Sequence, residues 1–458
     1  LFRFIKGVFT LKSSSPLNFL SPLFQKDAET GRQVNDLKQK IFFTLGAVAV
    51  YRLCAQIPVW GVNPQALALL AKNNAVLGFL DLFSGGALTS LSVVALGISP
   101  YITASIVIQL LTAVVPRLEE MQKDEGEAGR RQLAQITRYL SVALALVQSL
   151  VVVKLFASNP NVLQLGVEPT IFYVLATTAL VAGSLFTLWL SELITEKGIG
   201  NGSSMLIFVG ILAGLPFYAT QTAQLVEGDP QRSFSLVILL AIYLAMMVAI
   251  IILQEAVRKV FIIQAKRSVG SKQYGAGTSF IPFKINPAGV MPIIFTFALL
   301  AFPQTLVGLV MATNPKGWIL DAIQWYKVNF SPSSFWFMGV QFVLIIFFSY
   351  FSTSINPSMQ PKEIATSLKK YGNAIPGVKP GVPTGEYLAV ILNRIIFIGA
   401  VFLAIITLVA SSATSFTGIS TLAGLGSTAL IIMVGVALDT MNQIKVHLMV
   451  KQYEGFLK

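Results

Sequence analysis

The sequence predicts an all-α polytopic membrane protein of ten transmembrane helices, arranged as two inverted five-helix halves around a watery cavity. Three observations carry the prediction. The 458 residues are 54% hydrophobic and only 12% charged, with a mean hydropathy of +0.72; soluble domains carry about twice that charge fraction. Apolar runs of spanning length recur along the chain. The basic residues gather on alternate connections, which fixes an orientation.

Residues 1–40 are polar and basic and read as a cytosolic N-terminal segment. The chain opens at Leu1 rather than a methionine, so a missing or processed start is expected. Ser13–Ser15 mimics a signal cleavage site that the later topology does not need. Spans are then expected near 41–57, 93–115, 138–156, 170–190, 204–223, 235–254, 289–311, 334–356, 388–411 and 421–440. Arg52 and Lys154 stand toward span ends, where long side chains can snorkel. Division after the fifth span gives an N-terminal half (41–223), a C-terminal half (224–440) and a tail (441–458).

Of the 33 Lys and Arg, only Arg52, Lys72, Lys154, Arg232, Lys316 and Lys327 fall on the outer side; the other 27 place both termini in the cytosol. Five helices per half then start the second half outside, so the halves are inverted relative to each other. No convincing internal sequence match accompanies this. The hint is a shared interruption: Gly97 and Pro100 in the second span, Gly289 and Pro292 in the seventh.

The stretch Leu77–Val115 organises the rest. It is apolar, yet Ser84-Gly85-Gly86, Gly97 and Pro100 break it. Backbone outside helical geometry is tolerated at membrane depth only where protein buries it or water reaches it. Leu77–Ser90 is therefore read as a short helix and hinge set into a cavity, and a full helix is expected from about Val93 to Val115. Two cytosolic loops, Glu255–Ala288 and Pro357–Tyr387, are long, basic and punctuated by Gly and Pro, as functional loops are.

Catalytic motifs do not emerge, and an enzyme is not expected. Gly198-Ile199-Gly200-Asn201-Gly202 follows a helix rather than a strand and reads as a turn. One cysteine, Cys54, and one histidine, His447, give no His/Cys metal cluster, and no cofactor is expected. Ionisable groups are missing from the middle of every span, which argues against a coupled pump. Ile98, Ile102, Ile207, Met291 and Ile432 lie at mid-depth, open to reading as a water-excluding constriction or as ordinary packing. Arg258, Lys259, Lys266, Arg267 and Lys379 are open to reading as a dock for an acidic partner or RNA, or as plain positive-inside bias.

Five stretches then become specific: FSGGALTSLSVVALGISPYITASIVIQLL (Phe83–Leu111), SELITEKGIGNGSS (Ser191–Ser204), KINPAGVMPIIF (Lys284–Phe295), YGNAIPGVKPG (Tyr371–Gly381) and YEGFLK (Tyr453–Lys458). In this order they closely resemble the SecY family, protein-conducting channels of bacteria and plastids, from about Lys38 onward. The resemblance implies a central hourglass pore between the halves, with a plug helix whose residues include Phe79, Leu80, Leu82, Phe83, Ser84, Gly85 and Gly86. It implies a pore ring of Ile98, Ile102, Ser203, Ile207, Met291 and Ile432, with serine at 203 where an aliphatic residue is usual. A lateral gate is implied between the second and third spans and the seventh and eighth. The loops, through Arg258, Lys259, Lys266, Arg267 and Lys379, would bind the SecA motor ATPase or the ribosome; Lys379 stands where bacterial members typically carry Arg.

The implied partners also include SecE and SecG-type small subunits, the translocating polypeptide, its signal sequence and membrane lipid. The expected location is the bacterial inner (plasma) membrane, with the chloroplast thylakoid as the alternative. The competing function is an inverted-repeat secondary solute transporter, which calls for a compact polar pocket and ion ligands at the midplane.

Overall fold

The computed structural model describes residues 31–63, 84–123, 126–157, 168–227, 230–264, 267–269, 272–274, 278–311, 316–330, 334–355, 359–417 and 427–456. In chain order the elements are α1 (Gly31–Ala55), α2 (Ser99–Val114), α3 (Pro116–Lys123), α4 (Gly126–Ala157), α5 (Pro169–Lys197), α6 (Gly202–Glu227) and α7 (Pro230–Glu255). There follow β1 (Val257–Gln264), β2 (Arg267–Val269), β3 (Lys272–Tyr274), β4 (Thr278–Lys284), α8 (Met291–Met311), α9 (Trp318–Asn329) and α10 (Phe335–Ile355). The chain continues through α11 (Pro361–Lys370), β5 (Asn373–Ala374), α12 (Val382–Thr417) and α13 (Ser427–Phe456).

Among the described residues, seven helices are long and apolar enough to cross a membrane, or eight when the sharply bent pair α2–α3 counts as one span. Helices α1 and α8 stand at the first and seventh expected spans. The helix count of the sequence thus has its counterpart in the fold, and the short helices α3, α9 and α11 lie between spans.

Span two differs from its expected start. Helix α2 begins at Ser99 rather than near Val93, and residues 85–98 form successive turns; most of the expected short helix and hinge at Leu77–Ser90 lies outside the described residues. Gly97, at φ 53°, takes a conformation that a side chain resists, and its N–H closes a turn on the Val94 carbonyl at 2.9 Å. Pro100 then sits in the first helical turn, where its missing N–H costs nothing.

The same device opens α8. Gly289 has φ 63° and its N–H faces the Asn286 carbonyl at 3.4 Å; Pro292 follows at the matching place. One residue after each glycine, Ile98 and Val290 begin equivalent bonds, accepting from the N–H of Ile102 at 3.1 Å and of Ile294 at 3.2 Å. Six residues before each helix, the carbonyls of Val93 and Ile285 press on Gly183 of α5 and Gly399 of α12, where a Cβ would collide with them. These are the fourth long helices of the two halves.

The pairing of helices repeats as well. In the first half α1 packs on α5 and α6, α2 on α4, α4 on α5, and α5 on α6. In the second half α7 packs on α12 and α13, α8 on α10, α10 on α12, and α12 on α13, which is the same pattern helix for helix. The halves meet where α8 lies against α2 and α4, where α6 meets α13, and at the α6–α7 hairpin. The repeat lives in backbone turns and packing rather than in side-chain identity.

The first long loop is a β-hairpin, which the all-helical expectation did not include. Strand β1 pairs antiparallel with β4, and β5 from the second long loop adds to its other edge through Ile263–Ala374 and Gln264–Asn373. Along β1 the side chains alternate: Val260 and Ile262 are buried while Lys259, Phe261 and Ile263 are exposed. The buried row packs with Phe283, Leu368 of α11, and Leu388, Leu392 and Ile395 of α12. Both loops are thereby fastened to the ninth span.

We expect Gly399→Val to lower the thermal stability of the detergent-solubilised protein by about 1–3 kcal/mol, the usual range for overpacking. Gly339→Val, at a helical glycine with open space where a Cβ would stand, is the control and should cost far less. Equal losses would show that the Ile285–Gly399 contact carries no special weight.

Candidate functional site

Four isoleucines from three helices and one helix entry converge where the halves meet. Ile98 ends the turns before α2, Ile102 is in its first turn, Ile207 is on α6 and Ile432 is on α13. Ile98, Ile207 and Ile432 are buried, Ile432 completely, and Ile102 packs against the same apolar cluster. Val290, just before α8, joins them there.

The two other expected ring residues stand apart from that cluster. Met291 is 37% exposed and faces a polar cavity on the loop side. The Ser203 hydroxyl donates to Asn201 Oδ1, so it is engaged at the entry of α6 rather than in apolar packing. The structure places Ile98, Ile102 and Ile207 around one cavity and Ile432 in the same apolar cluster, and sets Met291 and Ser203 apart from that cluster.

Two unlike cavities lie about this apolar waist. On one side lies an apolar cavity of about 110 Å³, lined by Leu88, Leu96, Ile294, Phe297, Val151 and the isoleucines 98, 102 and 207. It occupies the seam between α2 and α4 of one half and α8 of the other. On the loop side lies a polar cavity of about 510 Å³, lined among others by Asn201, Gln254, Asn286, Asp439 and Gln443.

The broken stretch lines the apolar cavity through Ser84, Leu88 and Leu96. Of the expected plug residues, Phe79, Leu80, Leu82 and Phe83 lie outside the described residues; Ser84 is helical, and Gly85 and Gly86 sit within turns. Arg52 of α1 donates from Nη1 to the Gly85 carbonyl at 2.9 Å. Gly85 (φ 65°) in turn abuts α6, where an added Cβ would lie 2.6 Å from the Gly210 Cα. Ser84 Oγ accepts from the Leu88 N–H at 3.0 Å and keeps the turn tight. The bond from Arg52 was not visible in the sequence, because a backbone carbonyl partner leaves no residue-type signature; the pair Gly85-Gly86 was the available signal.

Of the basic loop residues, Arg258 and Lys259 lie exposed on β1, and Lys259 Nζ stands 4.8 Å from the Phe280 ring centroid on β4. Arg267 is on β2, and Lys266 lies outside the described residues. Lys379 is exposed in the turn before α12, its carbonyl accepting from Thr384 Oγ1 at 2.8 Å. The β1–β5 pairing ties the two loops that carry these charges into one sheet.

A family model described as SecY matches residues 92–441. The chain is 43% identical over 434 residues to protein translocase subunit SecY of Synechococcus elongatus, covering 93% of this chain and 95% of that one. It is 41% identical over 432 residues to protein translocase subunit SecY of Porphyra purpurea, covering 93% and 100%. The counterpart in Mycobacterium tuberculosis is 39% identical over 440 residues, covering 92% and 97%. A solved structure described as a protein conducting channel superposes with a TM-score of 0.63 at 16% identity, over 90% of this chain and 92% of that chain. Sec61 in a canine ribosome-channel complex gives 0.57 at 15% identity, over 90% and 92%. At such identities these two structures speak to the fold.

The Arg52–Gly85 bond makes its own prediction. Hydrogen bonds from charged groups contribute about 1.5–3 kcal/mol, so Arg52→Ala should shift the turn segment toward a released state by roughly tenfold or more. Ion leak through proteoliposomes carrying the variant should rise accordingly. Leak equal to that of the unsubstituted protein would mean that the bond does not hold the segment.

Proposed function

We infer function from a premise the matches supply: this chain belongs to the SecY family. It is the protein-conducting channel subunit of the Sec translocase, passing unfolded secretory polypeptides across the membrane and releasing hydrophobic segments sideways into lipid. Its partners are SecE and SecG-type small subunits, the SecA motor ATPase, the ribosome and the client chain with its signal sequence. Family membership sets the solute-transporter alternative aside.

The observation that carries the mechanism is the convergence of Ile98, Ile102, Ile207 and Ile432 between an apolar seam and a polar vestibule. A client is extended and chemically arbitrary, so its route needs water and one narrow, unselective contact. Branched aliphatic side chains fit that role, since they repel water and bind nothing by hydrogen bonding. Met291 and Ser203 complete the ring on its loop-side rim in this reading. Ser84–Gly86, held by Arg52, are the stem of a plug that includes Phe79, Leu80, Leu82 and Phe83.

The lateral gate is the seam where α2 and α4 meet α8, with α10 behind it. A signal helix that reaches this seam gains about 25 cal/mol for each Å² of apolar surface it moves out of water. A polar segment gains nothing there and continues through the waist. Opening the seam separates the halves along one edge while the α6–α7 hairpin keeps them joined at the other. The protein contributes positioning and exclusion rather than bond chemistry, and work comes from the partner that feeds the chain.

The chain is membrane-embedded and multi-spanning. We place it in a bacterial inner membrane with both termini in the cytosol, a reading supported by the 27 basic residues on one side. Relatives in Synechococcus elongatus and Porphyra purpurea keep the thylakoid alternative in view. The halves at 41–223 and 224–440 act as two rigid jaws in this reading. On the cytosolic side Arg258, Lys259, Lys266, Arg267 and Lys379 form the dock for the motor and ribosome in this reading, carried by two loops that the β1–β5 pairing joins.

Replacing Ile98, Ile102, Ile207 and Ile432 together with Gly should raise the resting ion conductance of planar bilayers severalfold; unchanged conductance would remove the ring from the account. Reversing charge at Arg258, Lys259 and Lys379 should weaken motor or ribosome binding by tenfold or more at moderate salt. Retained affinity would return those residues to a purely topological role.

A further inference from the structure

The polar vestibule has an unusual chemistry for a basic protein. Five of its lining residues carry side-chain carboxamides: Asn201, Gln254, Asn286, Asn442 and Gln443. Only Lys284, Asp439 and His447 among its lining residues are ionisable. A carboxamide offers both a donor and an acceptor, which is the chemistry of the peptide unit itself.

Most of these amides are fastened at one end. Asn201 Oδ1 accepts from the Ser203 N–H at 3.0 Å. Asn286 Nδ2 donates to the Gly289 carbonyl at 2.8 Å. Gln443 Oε1 accepts from the Gly200 N–H at 2.8 Å, and Asn442 Nδ2 donates toward Glu255 Oε1 at 3.4 Å. Each has a second polar end not used in these bonds. Gln254 differs: it is 8% exposed, and its buried Nε2 has no hydrogen-bond partner. A Cβ added at Gly435 would lie 2.8 Å from that nitrogen, so the amide sits against α13 about one turn from Ile432. A buried donor left unpaired is costly unless something in the working state accepts from it.

We propose that this ring of carboxamides is a binding site for the backbone of an extended polypeptide, on the loop side of the isoleucine waist. The proposal rests on the channel reading and deepens it by naming the part of the client that is held. The backbone is the one feature every client shares. An extended segment presents C=O and N–H groups sideways at about 3.3 Å per residue, and a cavity of about 510 Å³ admits a few residues of it. Charged walls would select among sequences and grip some of them too firmly. Carboxamides held by one end give weak, sequence-blind bonds that keep the chain extended before the waist, with Gln254 Nε2 donating to a client carbonyl at the last position.

The test uses the full channel with its small subunits and motor. A secretory precursor is halted in transit by a folded C-terminal domain, and the rate at which it slips back after ATP removal is measured. Three spanning segments are compared: Gly/Ser-rich, Ala/Leu-rich and Lys/Asp-rich. Gln254→Leu should speed back-slippage about fivefold, the factor for one ordinary hydrogen bond, and equally for all three segments. Gln254→Glu keeps the shape and removes the N–H donor, so it should give the same direction for the uncharged segments even where the leucine variant folds poorly. No change with any segment overturns the proposal, as does a change confined to the charged segment, which would assign the grip to Lys284 and Asp439. An unsubstituted channel that never takes up the precursor would overturn the channel reading itself and this inference with it.

Discussion

Backbone that is not helical must find partners for its N–H and C=O groups, and inside a bilayer only protein or a wet cavity supplies them. This structure breaks helical geometry at two corresponding places, before α2 and before α8, and the architecture follows from where those breaks are satisfied. Each is capped by a glycine at positive φ and a proline one turn on. Each also presses a carbonyl on a glycine of the fourth helix of its half. The breaks delay the start of the spanning helix and leave a gap at the meeting line of the halves. In the proposed route that gap is the vestibule and the waist.

The chemistry of the gap is graded along the path. In the proposed route carboxamides line the loop side, branched aliphatic side chains make the constriction, and the apolar seam lies on one flank. Beyond the waist the Ser84–Gly86 turns are pinned between Arg52 and Gly210. A polar client finds no reward in the seam and a hydrophobic one does, so burial of apolar area sorts them without a specific recognition site. The sheet that joins the two long loops carries Arg258 and Lys259 exposed on a strand anchored to the ninth span through Val260, Ile262 and Leu388.

Much of this was legible in the residues. Spanning runs, charge bias and the Gly/Pro interruptions gave the helix order and the inversion, because each follows from the energetics of lipid contact. The mid-depth isoleucines stood out in the sequence, but their depth fitted packing as well as a constriction, and only the family resemblance named them a ring. The start of α2 was not, since Val93–Leu96 is as apolar as any helix and only Gly97 and Pro100 mark the turn. The hairpin was blurred because Phe261 and Ile263 face outward, leaving Val260 and Ile262 as a weak period-two signal. Arg52 read as a snorkelling side chain because its partner is a backbone carbonyl 33 residues away. Gln254 carries no signal in the sequence, because its burial without a partner is a property of the packing alone.

The most direct measurement asks whether a client touches the waist. With Cys54 replaced by Ser, single cysteines at Ile207 or Ile432 are oxidised against one cysteine placed in the translocating segment of a halted precursor. The account predicts efficient crosslinks from both positions and none from a cysteine at Leu244, which is exposed on the outer surface of α7. Crosslinks from Leu244 with none from positions 207 and 432 would contradict a route between the two halves.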